Sequence, residues 1–229
     1  MTDKPSSRKI KFIIAGVLGL CAVVAAGVAY FVGDWNANRE AEVAELEKLL
    51  QLGPGMAVAE IGAGNGQMTV WMAQRLGPES KMFTTEIDTG KLADIRKAVA
   101  SAGLENVTAV EAGKHQTNLP AHCCDAVFMR RVYHHFTDIA AITASLYETV
   151  RPGGRLAVID FEPRAAMPRP DGVPENRDGH GVPLELVIEE LTAAGFEVEH
   201  RSETWSGRDF IAVFRKPSAP DAPASPDPG

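Results

Sequence analysis

A chain of 229 residues with 45% hydrophobic content can fill one core of ordinary size and still leave terminal extras. Lys and Arg number 23 against 30 Asp and Glu, a formal charge of −7, and there is no long basic run; this argues against duplex nucleic acid as a partner. The cysteines, Cys21 and the adjacent Cys123 and Cys124, fit neither a disulfide framework nor a zinc spacing, and no metal site is read from the sequence. The adjacent pair reads as two small buried strand residues, with a redox-active or metal-binding pair as the alternative.

In chain order, residues 1–11 form a basic segment with Lys4, Arg8, Lys9 and Lys11. From Phe12 to Gly33 no residue is charged. As a helix that run extends roughly 33 Å, enough to cross a hydrocarbon core, so 12–33 is expected to be a single transmembrane anchor. Asp34, Glu40, Glu42, Glu45 and Glu47 follow it. The positive-inside rule then puts the remainder outside the cytoplasm, on the periplasmic side. The alternative is a cleaved signal peptide, with Gly27-Val28-Ala29 as the small-x-small site.

Residues 34–52 should connect anchor to domain. Ala41, Val43, Ala44, Leu46, Leu49 and Leu50 stand among Glu and Lys, a pattern suited to an amphipathic helix over Asn38–Leu50. Gly53-Pro54-Gly55 breaks it and opens the main domain, residues 53–216. The tail 217–229 reads "PSAPDAPASPDPG", and five prolines among small and acidic residues are expected to stay disordered.

Within the domain, strands are expected at Met56–Ile61, Lys81–Ile87, Val107–Val110, Asp125–Met129 and Leu156–Phe161. Helices are expected at Gln67–Leu76, Lys91–Ala102, Ile139–Val150 and Leu184–Ala194. Two strands, Phe196–His200 and Phe210–Phe214, close the domain. This alternation with short connections predicts an α/β, doubly wound, Rossmann-like sheet, mostly parallel, with the closing hairpin supplying an antiparallel edge. Ligands of such folds bind outside the carboxyl ends of the strands, which points to the loops after Ile61, Glu86, Val110, Met129 and Asp160.

The first of those loops reads "VAEIGAGNGQ". Gly62, Gly64 and Gly66 follow strand one and precede a helix, where glycine allows positive φ and close approach of a ligand to the backbone. The spacing is G-x-G-x-G; the nicotinamide fingerprint would require a glycine at Gln67, which disfavours a nicotinamide oxidoreductase. Glu86 follows 20 residues after Gly66 near the end of strand two, where a carboxylate can accept both hydroxyls of a ribose. An adenosine-bearing ligand fits.

Taken in order, "VAEIGAGNG", "FTTEID", "CDAVFM", "YHHF" and "VRPGGRLAVID" resemble the class I S-adenosylmethionine-dependent methyltransferases. Within them the chain is most similar to the small single-domain type 11 group, which includes quinone-ring methyltransferases; the resemblance runs from about residue 38 to 216. It implies a seven-stranded sheet with the last strand antiparallel, and S-adenosyl-L-methionine as cofactor. By resemblance, Glu60 orients the glycine loop and the methionine end of the donor, and Gly62, Ala63, Gly64 and Gly66 border it. Glu86 and Ile87 hold the ribose side, and Ala112 and Gly113 flank adenine; from their charge, Arg130 and Arg131 are expected to attract the cofactor carboxylate or an anionic acceptor. Two departures stand out. The loop after strand three offers Lys114, His115 and Gln116 where relatives often carry an acidic residue, and "MRRVYHHF" replaces the Asn/Asp-Pro-Pro-Tyr/Phe motif of many amino-group methyltransferases.

Methyl transfer from a sulfonium is an in-line displacement needing alignment and sometimes a base. The candidates at strand ends are Tyr133, His134, His135 and Asp160, with Glu162 beside it and His180 in "DGHGVP". The bland alternatives are that His134 and His135 close the pocket, that His180 is a solvated loop residue instead of part of a mobile lid, and that Arg130 and Arg131 are a surface pair. Tethering to a bilayer favours a small or membrane-associated acceptor such as a thiol, a phenol or quinone, or a lipid. The rival functional class is a catalytically silent, cofactor-binding scaffold module of the cell envelope.

Overall fold

Alternating side chains on the strands sort the sheet into two apolar faces, and the helices cover both. The computed structural model describes residues 39–218, apart from 165 and 178. The expected basic segment 1–11, the span 12–33 and residues 219–229 of the tail lie outside the described residues. Among the described residues no helix is long and apolar enough to cross a membrane. The chain divides into a unit of residues 1–42, of which only 39–42 are described, and a unit of residues 43–229.

Residues 39–49 are helical (α1). There follow β1 (Ala57–Ile61), α2 (Gln67–Leu76), β2 (Lys81–Glu86), α3 (Thr89–Ser101), β3 (Val107–Glu111), β4 (Cys124–Arg130), a 3-10 turn (Tyr133–His135), α4 (Ile139–Thr149), β5 (Val150–Phe161), α5 (Leu184–Ala193), β6 (Glu197–Ser202) and β7 (Asp209–Arg215). The seven strands lie in the order β3-β2-β1-β4-β5-β7-β6. Strands β1 to β5 pair in parallel, and β7 is antiparallel to both β5 and β6. The doubly wound sheet is therefore as expected, with one correction. The antiparallel strand is not at the edge; it lies between β5 and β6. Composition explains the swap: β7, "DFIAVFR", is buried along almost its whole length, whereas β6, "EVEHRS", is polar and exposed and takes the edge.

On one face Ala59, Ile61, Val127, Met129 and Val158 pack under Ile142 and Leu146 of α4 and Leu184, Val187 and Leu191 of α5. On the other, Val58, Ala126, Phe128, Ala157 and Ile159 meet Val43 and Leu46 of α1 and Met68, Met72 and Leu76 of α2. Leu92, Ile95 and Val99 of α3 form a smaller cluster with Ala63. Glu60 shares the parity of Val58 and so projects toward α2; Asp160 shares that of Val158 and projects toward α4 and α5.

Capping aspartates set the starts of α3 and α4, Asp88 and Asp138 respectively. Asp88 accepts from Gly90 N and Lys91 N at 2.8 and 3.1 Å, so α3 begins at Thr89, ahead of the expected Lys91. Cys123 and Cys124 are joined as a vicinal disulfide at the start of β4, which corrects the expectation of two independent buried thiols. Strand β5 also starts earlier than expected: Val150 pairs with Cys124 before the register shifts and Ala126 meets Arg155. The bulge absorbs Pro152-Gly153-Gly154, which reads as a turn in the sequence.

Candidate active site

The three glycines of the first turn differ in what surrounds them. A Cβ on Gly62 would lie 2.7 Å from Val132 Cγ2, and one on Gly66 would lie 3.1 Å from Ile95 Cγ1, so these two permit the turn to pack against β4's exit and α3. At Gly64, with φ +59°, an added Cβ meets nothing within 4 Å. Bare backbone at Gly64 thus faces open space, as a ligand-approach position should.

Glu86 closes one side of that space. Its Oε2 accepts from Gly64 N at 2.9 Å, and its Oε1 accepts from Ile87 N at 2.9 Å and Asp88 N at 3.2 Å. These bonds aim a largely buried carboxylate across the glycine turn, and Oε2 keeps a lone pair for a further donor. Next to it Ile87 is 59% exposed. Ala112 N donates to Glu86 O at 3.0 Å, which brings Ala112 and Gly113 to the same corner. Gln116 packs tightly on Gly113, where an added Cβ would lie 2.9 Å from Gln116 Cγ. Ala63 does not share this exposure: its methyl is buried with Leu92, Ile95 and Val99, and its N–H donates to Thr85 O at 2.9 Å, so it supports the turn from beneath.

Glu60 is buried at the end of β1. The Thr69 hydroxyl of α2 donates to its Oε2, and Thr84 Oγ1 lies 3.0 Å from Thr69 Oγ1. Burial raises its pKa from 4.5 to about 7, against the opposing pull of the Thr69 bonds and the positive charge of Arg130. Arg130 itself donates to Asp209 Oδ2 at 2.9 Å. Arg131, in the left-handed region at φ 55°, clamps the same carboxylate through Nε at 3.0 Å and Nη2 at 2.9 Å. Asp209 is fully buried, so the arginine pair ties the end of β4 to β7, Arg130 largely buried and Arg131 exposed.

The acceptor-side candidates separate sharply. Asp160 accepts from His134 N (3.1 Å), His134 Nδ1 (2.7 Å) and Phe161 N (2.9 Å). That anchors a buried imidazole and leaves Nε2 as the nitrogen free for other work. His135 and His180 converge on it, with ring centroids 4.0 and 4.9 Å from that of His134 and 5.7 Å from each other. Desolvation, then the neighbouring imidazoles, lower the pKa of His135 from 6.5 to about 4. His180 is partly buried and held by its own main chain. Its N donates to Met167 O at 3.2 Å, its carbonyl accepts from Arg164 N at 2.9 Å, and its ring stacks on Phe161. Gly181 makes that approach possible, since a Cβ there would lie 2.8 Å from the carbonyl oxygens of Phe161 and Glu162.

Tyr133 is a correction to the candidate set. Its ring is fully buried and its hydroxyl donates to Glu190 Oε2 at 2.8 Å. Burial and the Glu190 charge raise its pKa, so the phenol is a structural group and not a base. Arg177 completes this cluster: Nη1 donates to Tyr133 O at 3.1 Å and Nη2 to Glu190 Oε2 at 2.9 Å. Arg177, Glu190 and Asp209 were not legible as site supports, because each acts through a partner brought near by the fold.

A family model described as a methyltransferase domain matches residues 58–154. That stretch contains Glu60, the glycine turn, Glu86 and the His134-His135 turn in the geometry above. Residues 58–154 thus carry a methyltransferase domain, in a fold of the class I S-adenosylmethionine-dependent type. Among relatives of this chain, the ubiquinone/menaquinone biosynthesis C-methyltransferase UbiE of Marinomonas sp. is 30% identical over 108 residues, 47% of this chain and 43% of that protein. A demethylmenaquinone methyltransferase of Listeria monocytogenes is 26% identical over 116 residues, 51% of this chain and 49% of that protein. The chain thus spans about half the length of the curated relatives it matches. A crystal structure of a SAM-dependent methyltransferase from Aquifex aeolicus superposes with TM-score 0.64 at 22% identity, over 76% of this chain and 89% of that one, a likeness of fold. The family's donor, S-adenosyl-L-methionine, suits the residues present: open space at Gly64, the Glu86 carboxylate beside it and the exposed Ile87.

Proposed function

We propose that the chain transfers a methyl group from S-adenosyl-L-methionine to a small lipophilic acceptor, with a quinol-type ring as the favoured class over thiols and lipid headgroups. The observation that carries the reading is the notch at Gly64, open to a ligand and faced by a carboxylate held on the neighbouring strand. When bound, the donor supplies an electrophilic methyl on a sulfonium. Glu86 would take the ribose hydroxyls, Ile87 would cover one adenine face, and Glu60 would meet the ammonium of the methionine end.

The acceptor would then lie over the ends of β4 and β5, against His134, His135 and His180. Met167, 41% exposed beside His180, adds an apolar surface there. The names of the Marinomonas and Listeria relatives state ubiquinone and menaquinone biosynthesis, which supports the ring class. The charge-free stretch 12–33 behind a basic segment supports an anchored domain facing the periplasmic side, where lipophilic rings in the bilayer are within reach. Incubating the full chain with methyl-labelled donor and panels of reduced quinones, thiols and phospholipids tests the reading. Label in a quinol ring is expected; label confined to thiols or lipids, or none, would displace it.

A further inference from the structure

We propose that His134, His135 and His180 form a binding site for a divalent transition-metal ion of the zinc class, with one coordination position open. Ligating nitrogens of the three side chains all lie within 4.8 Å of one another. Around a tetrahedral ion with metal–nitrogen bonds of about 2.0–2.1 Å, such donors stand roughly 3.4 Å apart. Closing the remaining gap takes about an ångström of side-chain rotation, and His135, exposed at the rim, is free to supply it. The sequence shows no metal-ligand spacing, because His180 reaches the pair only through the fold.

The surroundings match what a metal site needs beyond its ligands. Asp160 holds His134 Nδ1 at 2.7 Å, which fixes the tautomer and directs Nε2 as the ligating atom; such carboxylate–histidine pairs orient metal ligands and raise their basicity. His180 is preorganised by its two main-chain bonds to Arg164 and Met167 and by stacking on Phe161. Behind it, the Arg177–Glu190 pair fastens the same loop to α5. An all-imidazole set suits zinc, cobalt, nickel or copper and not magnesium or calcium, which take oxygen ligands. Three protein ligands with an exposed side leave room for water or an acceptor oxygen, the arrangement of sites that act on a substrate.

The test uses the untagged full chain, stripped with chelator and titrated with Co2+, then with Zn2+. One equivalent of Co2+ is expected to develop visible d–d absorption that Zn2+ abolishes. His135→Ala and His180→Ala should each remove saturable one-to-one binding, and Asp160→Asn should weaken it about 10–100-fold. His200→Ala, on the exposed edge strand β6, should change nothing. Because Asp160 is buried, circular dichroism checks its variant's fold, while the exposed His135 keeps the test sound if that variant unfolds. No cobalt absorption in the wild type, or equal binding by His135→Ala and His180→Ala, would overturn the site. Metal binding is read without methyl transfer, so it stands or falls separately from the proposed activity.

Discussion

Replacing Glu60 with Gln should stabilise the donor-free protein while impairing the donor site. In the fold this carboxyl titrates at about 7 against 4.5 when free. Between those values the native chain holds a proton that the unfolded chain has released, so stability falls as pH rises from about 4.5 and the full cost is present above about 7. The difference of 7 − 4.5 gives 2.5 units, or about 3 kcal/mol at roughly 1.36 kcal/mol per unit. For a domain of this size that is roughly 6–12 °C in Tm. Glu60→Gln keeps the shape and the acceptor for Thr69 but removes the charge. Thermal melts of donor-free protein at pH 5 and pH 8 should show near-equal stability at pH 5 and a more stable variant at pH 8. Calorimetry should show weaker donor binding by the variant at both. A variant that melts at or below wild type at pH 8, or an offset equal at the two pH values, would refute the reasoning.

Other substitutions separate support from ligand contact. Gly64→Ala should cost about 1–2 kcal/mol in denaturant titration, from positive φ alone, yet lose donor affinity out of proportion, because its methyl enters the open notch. Gly62→Ala adds a collision with Val132 to that strain and should lower stability by a further 1–3 kcal/mol or so. Arg177→Met removes the ion-pair partner of the partly buried Glu190 and leaves it the Tyr133 hydroxyl; lower stability is expected in denaturant titration, with faster amide exchange across the His180 loop. A reporter active only in the periplasm, fused after residue 216, should be active if 12–33 anchors the domain as proposed and silent if the domain faces the cytoplasm.

Much of the fold was legible because local chemistry and global topology agree. Helix α2 falls at Gln67–Leu76 as expected, bounded by Gly66 and Gly77 at positive φ. Periodicity failed where pairing decides the outcome. Strand periodicity alone does not say that β7 inserts between β5 and β6; the composition of the two strands does, since β7 is apolar along its length and β6 is polar. Nor does periodicity say that Val150 pairs with Cys124 across a bulge. In the site, Glu60, Gly64 and Glu86 were readable because the strand–turn–helix unit keeps them close in sequence. His180 meets His134 only through the turn at Gly181, and Arg130 and Arg131 meet Asp209 only across the sheet. Tyr133 misled because a tyrosine beside two histidines looks catalytic, whereas its burial against Glu190 is set by α5.

A crystal structure of the chain soaked with S-adenosylhomocysteine, the demethylated donor, tests the central claim most directly. We expect both ribose hydroxyls within hydrogen-bonding distance of Glu86 and the nucleoside lying against the bare backbone of Gly64. A ligand bound elsewhere, with Glu86 bonded only to the main chain and the space beside Gly64 taken by protein atoms, would contradict it.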